Sequence, residues 1–432
     1  MGTQTNQTMN EIYKKLKNIN PEIEIYQVGG CVRDEIIQQK PKDIDYVVTG
    51  ANPDILLKAG LIQVGSGFPC FIDTKTKQEY ALARTEKKIG TGYQGFSCNF
   101  DSNISLQQDL ERRDLTINAI AKDNQGNYID PFNGIHDIKE KILRHTSLAF
   151  KEDPLRVLRV ARFAARYHDI GFTIASETIA LMQEISLSGE LTSLTPERVW
   201  QETEKALGEE SPHIFFEVLR KTKALEYIFP ELERLFGIPQ PEKHHPEIDT
   251  GIHTIMALKR ASALTQNTEI RFSVLTHDLG KGVTPKEILP SHRGHEKAGV
   301  PIIANMCKRL RIPNKYKEIA IKISEFHLHC HKAFELKAST ILKLIMNIDG
   351  LRKPELFEKF LISCQADAQG RKGLENQPYP QADYLRLCLT TLKKLNITDI
   401  IQDKKLKPAD IQAAINTRRI DSIKTIDKTK FI

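Results

Sequence analysis

Asp43 and Asp45 lie one residue apart in DIDYVVTG, a run with the apolar character of a strand. Side chains alternate faces along a strand, so both carboxylates project to one side while Ile44 turns to the core. Hard oxygen donors on one face suit Mg²⁺, and two such ions about 4 Å apart can activate an attacking hydroxyl and neutralise a departing pyrophosphate. The chemistry on offer is transfer of a nucleotide from a nucleoside triphosphate to an acceptor hydroxyl. Isolated D-x-D pairs are usually decorative, so the weight rests on what precedes this one. Gly29-Gly30 falls between a strand-like run and a helical one, where backbone N–H groups can approach a triphosphate; Arg33, one turn on, can pair with phosphate oxygens. Asp34 is expected to support the site by hydrogen bonding. Glu79, opening EYALAR, either completes the acidic cluster or is an ordinary edge-strand glutamate.

The elements that must carry these groups can be read in outline. Residues 1–22 are polar and read as a loose lead-in. Ile23, Ile25, Tyr26 and Val28 mark a first strand, CVRDEIIQQ a helix, DIDYVVTG a second strand, and FPCFID and EYALART two more β-rich runs, so the first ~130 residues predict a mixed sheet with few helices. From about residue 137 the texture is helical, with Ile138, Ile142, Leu155, Leu158, Ala161 and Phe163 near helical spacing. Thr195-Pro196-Glu197-Arg198 has the form of a helix start. The proline-rich stretch 237–249 reads as a linker, and a histidine-rich helical segment follows. Residues 401–432 carry eight Lys or Arg against four Asp, which reads as a solvated basic face.

Composition sets the bounds. The chain has 432 residues, 40% hydrophobic and 27% charged, which predicts a multidomain globular protein. A formal charge of +7 favours a polyanionic partner without requiring one. Seven cysteines occur without a C-x-x-C pair, which argues against a zinc knuckle and a disulfide framework. The N-terminus has no apolar signal segment and no run approaches bilayer length, so a cytoplasmic, non-membrane protein is expected.

The ordered series G29-G-C-V-R-D34, D43-I-D45, R112-R-D-L-T-I-N-A119, D130-P-F-N-G134 and E152-D-P-L-R156 resembles the class II tRNA nucleotidyltransferases, the CCA-adding enzymes, from about residue 23 into the C-terminal third. The resemblance implies an α+β fold: a polymerase-β-like nucleotidyltransferase head with a mixed sheet, then an all-α neck and body including an HD domain. It also implies CTP, ATP and the tRNA 3′ end as partners and Mg²⁺ on Asp43 and Asp45. Gly30, Arg33 and Arg113 would then face the triphosphate or ribose, with Asn118 on the polar wall, and residues 130–134 would form a hinge. Asp153 and Arg156, three apart at a helix start, can face one ligand. A carboxylate accepts from an exocyclic amino group and a guanidinium donates to a ring nitrogen or carbonyl, so this pair would select C and A over U and G. Arg159 and Arg162 continue the same face toward triphosphate or ribose. In general a D-x-x-R pair is more often a surface ion pair.

Poly(A) polymerases are the in-class rival. They carry a basic stretch after the second aspartate strand, where this chain has Val64-Gly65-Ser66-Gly67-Phe68-Pro69; the run 84–96 resembles the flexible loop of CCA-adding enzymes. Residues 195–202 match a motif thought to brace the neck, and Trp200 reads as core.

His253, His277-Asp278 and Asp367 have the ligand order of the HD metal-dependent phosphohydrolases, with His292, His295 and His327 nearby. Adjacent residues at a helix end, as in THDLGKG, can grip one ion. Nitrogen and oxygen donors suit Ni, Mn, Co or Mg. Asp367 fits the final ligand and His327 is the alternative; the bland reading is a helical body with surface histidines or an HD fold without metal. The resemblance implies phosphatase, 2′-nucleotidase and 2′,3′-cyclic phosphodiesterase activity. The expected division is a polar extension 1–22, a catalytic head 23–137, a neck for nucleotide selection and RNA binding 138–240, an HD domain 241–350 and a helical tail 351–432, in a monomer or homodimer. The rivals from other classes are a phosphohydrolase whose head only binds RNA, and a non-catalytic tRNA-binding protein.

Overall fold

The computed structural model describes residues 2–41, 43–64, 70–88, 96–243, 245–402 and 407–431. Residues 65–69 and 89–95, which carry most of the poly(A) comparison and of the flexible-loop assignment, lie outside the described residues. The chain divides into two compact units, one of residues 1–195 with 221–224, the other of 196–220 with 225–432.

The first unit is built on a mixed sheet. Strands β1 (Glu24–Val28), β2 (Asp45–Thr49), β3 (Ile62–Val64), β4 (Cys70–Ile72) and β5 (Glu79–Leu82) join the short β8 (Ala121–Lys122) and β9 (Tyr128–Ile129) in the order β3-β4-β5-β2-β1-β8-β9; β6 (Thr85–Lys88) and β7 (Phe96–Asn99) form a separate ribbon. Among the described residues of this seven-stranded sheet, β2 and β5 pair in parallel and the other neighbours antiparallel. Tyr46, Val47 and Val48 are all buried, as expected of a central strand covered on both faces, and Tyr46 stacks on Tyr80 at 4.9 Å.

Helices α1 (Gly2–Ile19), α2 (Gly30–Ile36), α3 (Pro53–Lys58), α4 (Leu106–Glu111), α5 (Gly134–Glu140), α6 (Leu155–Tyr167) and α7 (Ser176–Leu187) complete this unit. The stretch expected to be a loose lead-in is the helix α1. Ile12 and Leu16, one turn apart, are buried against Ile23, Ile25 and Val48, and Lys17 and Tyr13 both bond Glu24. Ile12 and Leu16, with Tyr13 packed beside them, dock the described part of this helix. Ile142, read with the helical pattern, lies instead in β10 (Ile142–Leu143), which pairs with β11 (Thr173–Ile174).

The second unit is helical: α8 (Pro196–Leu207), α9 (Pro212–Lys221), α10 (Leu225–Ile228), α11 (Pro230–Glu233), α12 (Thr250–Leu264), α13 (Thr268–Thr276), α14 (His295–Arg309), α15 (Asn314–His331), α16 (Ala338–Asn347), α17 (Pro354–Gln369), α18 (Pro380–Lys394), α19 (Thr398–Gln402) and α20 (Pro408–Lys424). Trp200 is core, edge-on to Phe272 and Tyr316. Arg271 is fully buried and donates to the carbonyls of Leu207, Glu209, Thr265 and Ser262, so its charge is satisfied by helix ends. The basic tail is partly anchored, because Lys428 donates to the carbonyls of Phe334 and Leu336 and Ile423 is buried. Among the described residues no helix is long and apolar enough to cross a membrane.

Candidate active sites

In the first unit Asp45 opens β2 and Asp43 lies just before it; both are exposed. Register places Asp45 opposite Glu79 on β5. Although Asp45 keeps an open face to solvent, partial desolvation by the surrounding side chains pushes its carboxyl up, Glu79 and Asp43 push it the same way, and Arg113 opposes them. A carboxylate whose proton affinity is raised in part by two acidic neighbours marks a site that a divalent cation would relieve. The sequence left Glu79 open; its contribution to Asp45 puts it in the same cluster.

Gly29 is the residue before α2, at φ 73°, and a Cβ there would stand 2.9 Å from Arg113 Nη1. The glycine therefore permits both the turn and the approach of the guanidinium. Gly30 follows as the first residue of α2, 3.5 Å from Arg33 by the same measure. Arg113 also donates to Asp109 at 3.1 Å.

Arg33 is buried. Its Nε and Nη2 donate to Asp34, its Nη1 to Asn118 Oδ1, and its guanidinium lies 5.2 Å from the Phe163 ring and 5.4 Å from Tyr167. Asn118 Nδ2 donates to Asp114 at 2.8 Å, and Arg159 Nε to the other Asp114 oxygen at 2.8 Å. Arg33, Asn118, Asp114 and Arg159 thus form one chain from α2 to α6. Burial opposes ionisation of Asp114, but the charge of Arg159 and the bonds from Asn118 and Arg159 hold its carboxyl well below the usual range. Asp34 also accepts from Arg166 and Tyr167, both at 3.3 Å.

Arg162 stacks 4.5 Å from Phe163. Asp153 accepts from the Leu155 N–H at 3.1 Å and so caps α6. Arg156 donates at 2.5 Å each to the carbonyls of Ala149 and Arg112. The nucleotide-facing residues expected from the motifs therefore gather on α2, the segment 112–118 and α6. Asp130 accepts from the N–H groups of Gly134 and Ile135, which makes 130–134 a capped turn.

In the second unit the helix bundle converges on histidines and carboxylates. His253 lies in the first turn of α12, His277 and Asp278 follow α13, His295 begins α14, His327 and His331 end α15, and Asp367 ends α17. Gly280 lets the turn after Asp278 press on α14, since a Cβ there would stand 2.0 Å from the His295 carbonyl oxygen. His253 Nε2 is 2.9 Å and His277 Nε2 3.4 Å from Asp367 Oδ1. His295 Nε2 is 3.3 Å and His327 Nε2 3.8 Å from Asp278 Oδ1. His253, His277 and Asp367 form one group able to hold a metal ion, and Asp278, His295 and His327 another. Asp367 and His327, the two alternatives for the final ligand, fall in different groups.

Three imidazoles share one orientation device. His277 Nδ1 is 2.7 Å from the Val274 carbonyl, His295 Nδ1 2.6 Å from that of His292, and His327 Nδ1 3.0 Å from that of Ile323. Each Nδ1–H is thereby committed to backbone and each Nε2 is left facing the cluster. His277 Nε2 and Asp278 Oδ1 are buried atoms that no hydrogen bond satisfies. Burial opposes charge on His277, yet Asp278 and Asp367 push it up to about 10; both carboxyls are held well below their usual range. His327, by contrast, is pushed down to about 3 by burial. Buried carboxylates that draw a proton onto a buried histidine, beside unsatisfied donor atoms, fit a divalent cation.

A cavity of about 920 Å³ opens at this cluster, with Asp278, His295, His327 and Asp367 on its wall and Lys281, Arg293, Lys332 and Arg371 among its lining residues. Its size is in the range of small-molecule sites and its basic lining suits a phosphate ester. Lys281 bonds Asp278 at 2.7 Å.

His245 and Glu247 also belong to the cluster, although the sequence reading assigned 237–249 to a linker. The proline-rich composition concealed them. His292 instead bonds Thr284 and the Pro239 carbonyl and joins neither donor group.

Comparison with known proteins finds family matches along three stretches of the chain. The family described as "Poly A polymerase head domain" matches residues 25–144, "Probable RNA and SrmB- binding site of polymerase A" matches 171–236, and "HD domain" matches 250–355. Among solved structures, "The structure of CCA-adding enzyme apo form II" shares the fold with a TM-score of 0.69 at 18% identity, covering 99% of this chain and 94% of the other. Two curated relatives are each named "Multifunctional CCA protein". That of Mannheimia succiniciproducens is 54% identical over 93% of this chain and 97% of its own length, and that of Shewanella denitrificans 55% identical over the same shares. With both donor sets in place along a chain so closely matched end to end, this protein belongs to the multifunctional CCA protein family, the CCA-adding tRNA nucleotidyltransferases that carry an HD domain.

Proposed function

We propose that the first unit adds C and A to the 3′ end of tRNA from CTP and ATP, and that the second removes phosphate from damaged RNA ends. The observation that carries the reading is the presence of both donor sets in a chain 54% identical to a multifunctional CCA protein along 93% of its length. Structures named for CCA-adding enzymes with CTP and with ATP support the choice of nucleotides.

Asp43 and Asp45 hold Mg²⁺, which supplies neutralisation of the triphosphate and activation of the terminal 3′-hydroxyl. Gly30, Arg33 and Arg113 receive the triphosphate, with Arg159 and Arg162 on the α6 side. Asp153 and Arg156 choose the base. The bonds of Arg156 to two backbone carbonyls fix the guanidinium rigidly, which is what a template built of protein requires. In this reading residues 23–137 are the head, 138–240 the neck and 241–350 the core of the HD domain, with Asp367 contributed from the segment 351–432.

In the second unit His253, His277, Asp278 and Asp367 hold a divalent metal such as Ni²⁺, Mn²⁺, Co²⁺ or Mg²⁺, which supplies Lewis acidity at a phosphoryl group and a more acidic water. Lys281 and the basic lining hold the phosphate. The expected reactions are phosphatase, 2′-nucleotidase and 2′,3′-cyclic phosphodiesterase.

The test separates the two units. Asp45→Ala should abolish CTP incorporation into tRNA and leave hydrolysis of a 2′,3′-cyclic nucleotide; His277→Ala should do the reverse. If Asp45→Ala spared nucleotide incorporation, the head would be a mere RNA-binding module and the reading would fail.

A further inference from the structure

His253 is the exception among the inward-facing histidines. His277, His295 and His327 commit Nδ1 to a backbone carbonyl within four residues, whereas His253 Nδ1 is a buried atom that makes no hydrogen bond and stands 2.9 Å from the Glu247 carboxylate, out of line for one. His253 Nε2, on the other side of the ring, is 2.9 Å from Asp367. The ring thus lies between two carboxylates: Asp367 alone would draw the proton to Nε2, and only with the proton on Nδ1 is the Nε2 lone pair free for a metal.

The segment bearing Glu247 is arranged to deliver it. The Glu247 side chain is 2% exposed, its Oε1 also faces His245 Nδ1 at 3.1 Å, and its Oε2 accepts from the Lys372 N–H at 3.4 Å. The next residue, Ile248, is β-branched yet adopts φ 60°, and its side chain is exposed. That conformation is unfavourable for isoleucine by about 1–3 kcal/mol and is held only where surrounding bonds determine it. Here they do: Gln240 N–H donates to the Ile248 carbonyl at 2.8 Å, while Asp249 accepts from Gly237 N–H at 2.6 Å and from Ile252 N–H at 2.9 Å at the start of α12. The strained turn points Glu247 inward while Asp249 caps the helix that carries His253.

We propose that Glu247 is a positioning residue of the second unit's metal centre: its carboxylate, 2.9 Å from His253 Nδ1, favours the ring form with the proton on Nδ1 and so leaves the Nε2 lone pair toward the donors of His277 and Asp367. The proposal rests on the reading of that centre as a metal site. Glu247 is not itself a ligand in this account, because the imidazole ring separates its Oε1 from the Asp367 oxygen.

The experiment measures Ni²⁺ binding to the full chain by equilibrium dialysis, with His277→Ala as the reference for loss of a ligand. Outer carboxylates of this kind contribute about 10–100-fold to metal affinity, so Glu247→Ala should weaken binding by that factor at unchanged stoichiometry. Glu247→Gln keeps an acceptor oxygen but not the charge and should lose roughly 3–10-fold, since charge-assisted bonds are about twice as strong as neutral ones. In the Zn²⁺-loaded protein with ¹⁵N-labelled histidine, His253 should be bound through Nε2 with its proton on Nδ1 in the wild type, and Glu247→Ala should show a mixture of Nε2-bound and Nδ1-bound rings.

Affinity equal to wild type in either folded variant overturns the proposal, and so does loss of a whole bound equivalent, which would make Glu247 a ligand. If the alanine variant does not fold, the glutamine variant decides by the same criterion. Failure of the wild type to bind Ni²⁺, with His277→Ala indistinguishable from it, would instead defeat the metal-centre reading on which the proposal stands.

Discussion

Asp45 and Glu79 stand opposite each other on the parallel strands β2 and β5, with Asp43 two residues upstream of Asp45. Like charges directly across a sheet cost about 0.2–1 kcal/mol, and the upward shift of the Asp45 carboxyl records that repulsion together with burial. Asp45→Asn should therefore raise the melting temperature of the chelator-treated protein by about 1–3 °C while abolishing CTP incorporation. Calorimetry in EDTA beside an incorporation assay checks both, and a lower melting temperature would show that the carboxylates do not repel in the folded state.

Asp153 caps α6 through the Leu155 N–H and is proposed to read the base as well. Asp153→Asn retains an acceptor for the cap but presents a donor where the nucleobase amino group is a donor too. Discrimination of CTP over UTP, measured as the ratio of kcat/KM, should fall by at least about 10-fold, with the melting temperature close to wild type. Unchanged discrimination would confine Asp153 to capping.

Asp114 gives a pH signature. Its carboxyl is depressed in the folded state, so its contribution is complete above the unfolded carboxylate pKa of about 4 and is lost as pH falls below that toward the folded value. Asp114→Asn should cost about 2–4 kcal/mol at pH 7 and flatten the loss of stability below pH ~4. Denaturant titrations at pH 7 and pH 3 measure this; a variant that lost stability in parallel with wild type through the acid range would contradict it.

The sequence made the catalytic head legible because its signals are local. A period of two puts Asp43 and Asp45 on one face, and Gly29 lies where a strand must become a helix. What it hid depends on which elements meet. Nothing in the spacing of His295 and His327 says that α14 and α15 turn the two imidazoles toward Asp278, so the sequence could name them without grouping them. Glu247 was concealed by composition, since a proline-rich run reads as a linker and the inward turn depends on an isoleucine at positive φ that no propensity favours. The helix α1 escaped for the opposite reason: its sequence is mostly polar, yet Ile12 and Leu16 reach the core with Tyr13 packed beside them.

The most direct test of nucleotide addition uses one tRNA transcript in four lengths, mature and shortened by one, two and three 3′ nucleotides, with CTP, ATP, UTP and GTP each supplied alone and CTP with ATP together. The account predicts A alone on the one-shortened transcript, C then A on the two-shortened, C, C and A on the three-shortened, and none on the mature tRNA, with UTP and GTP refused throughout. Long tails of A made from ATP alone, or incorporation of all four nucleotides, would contradict it.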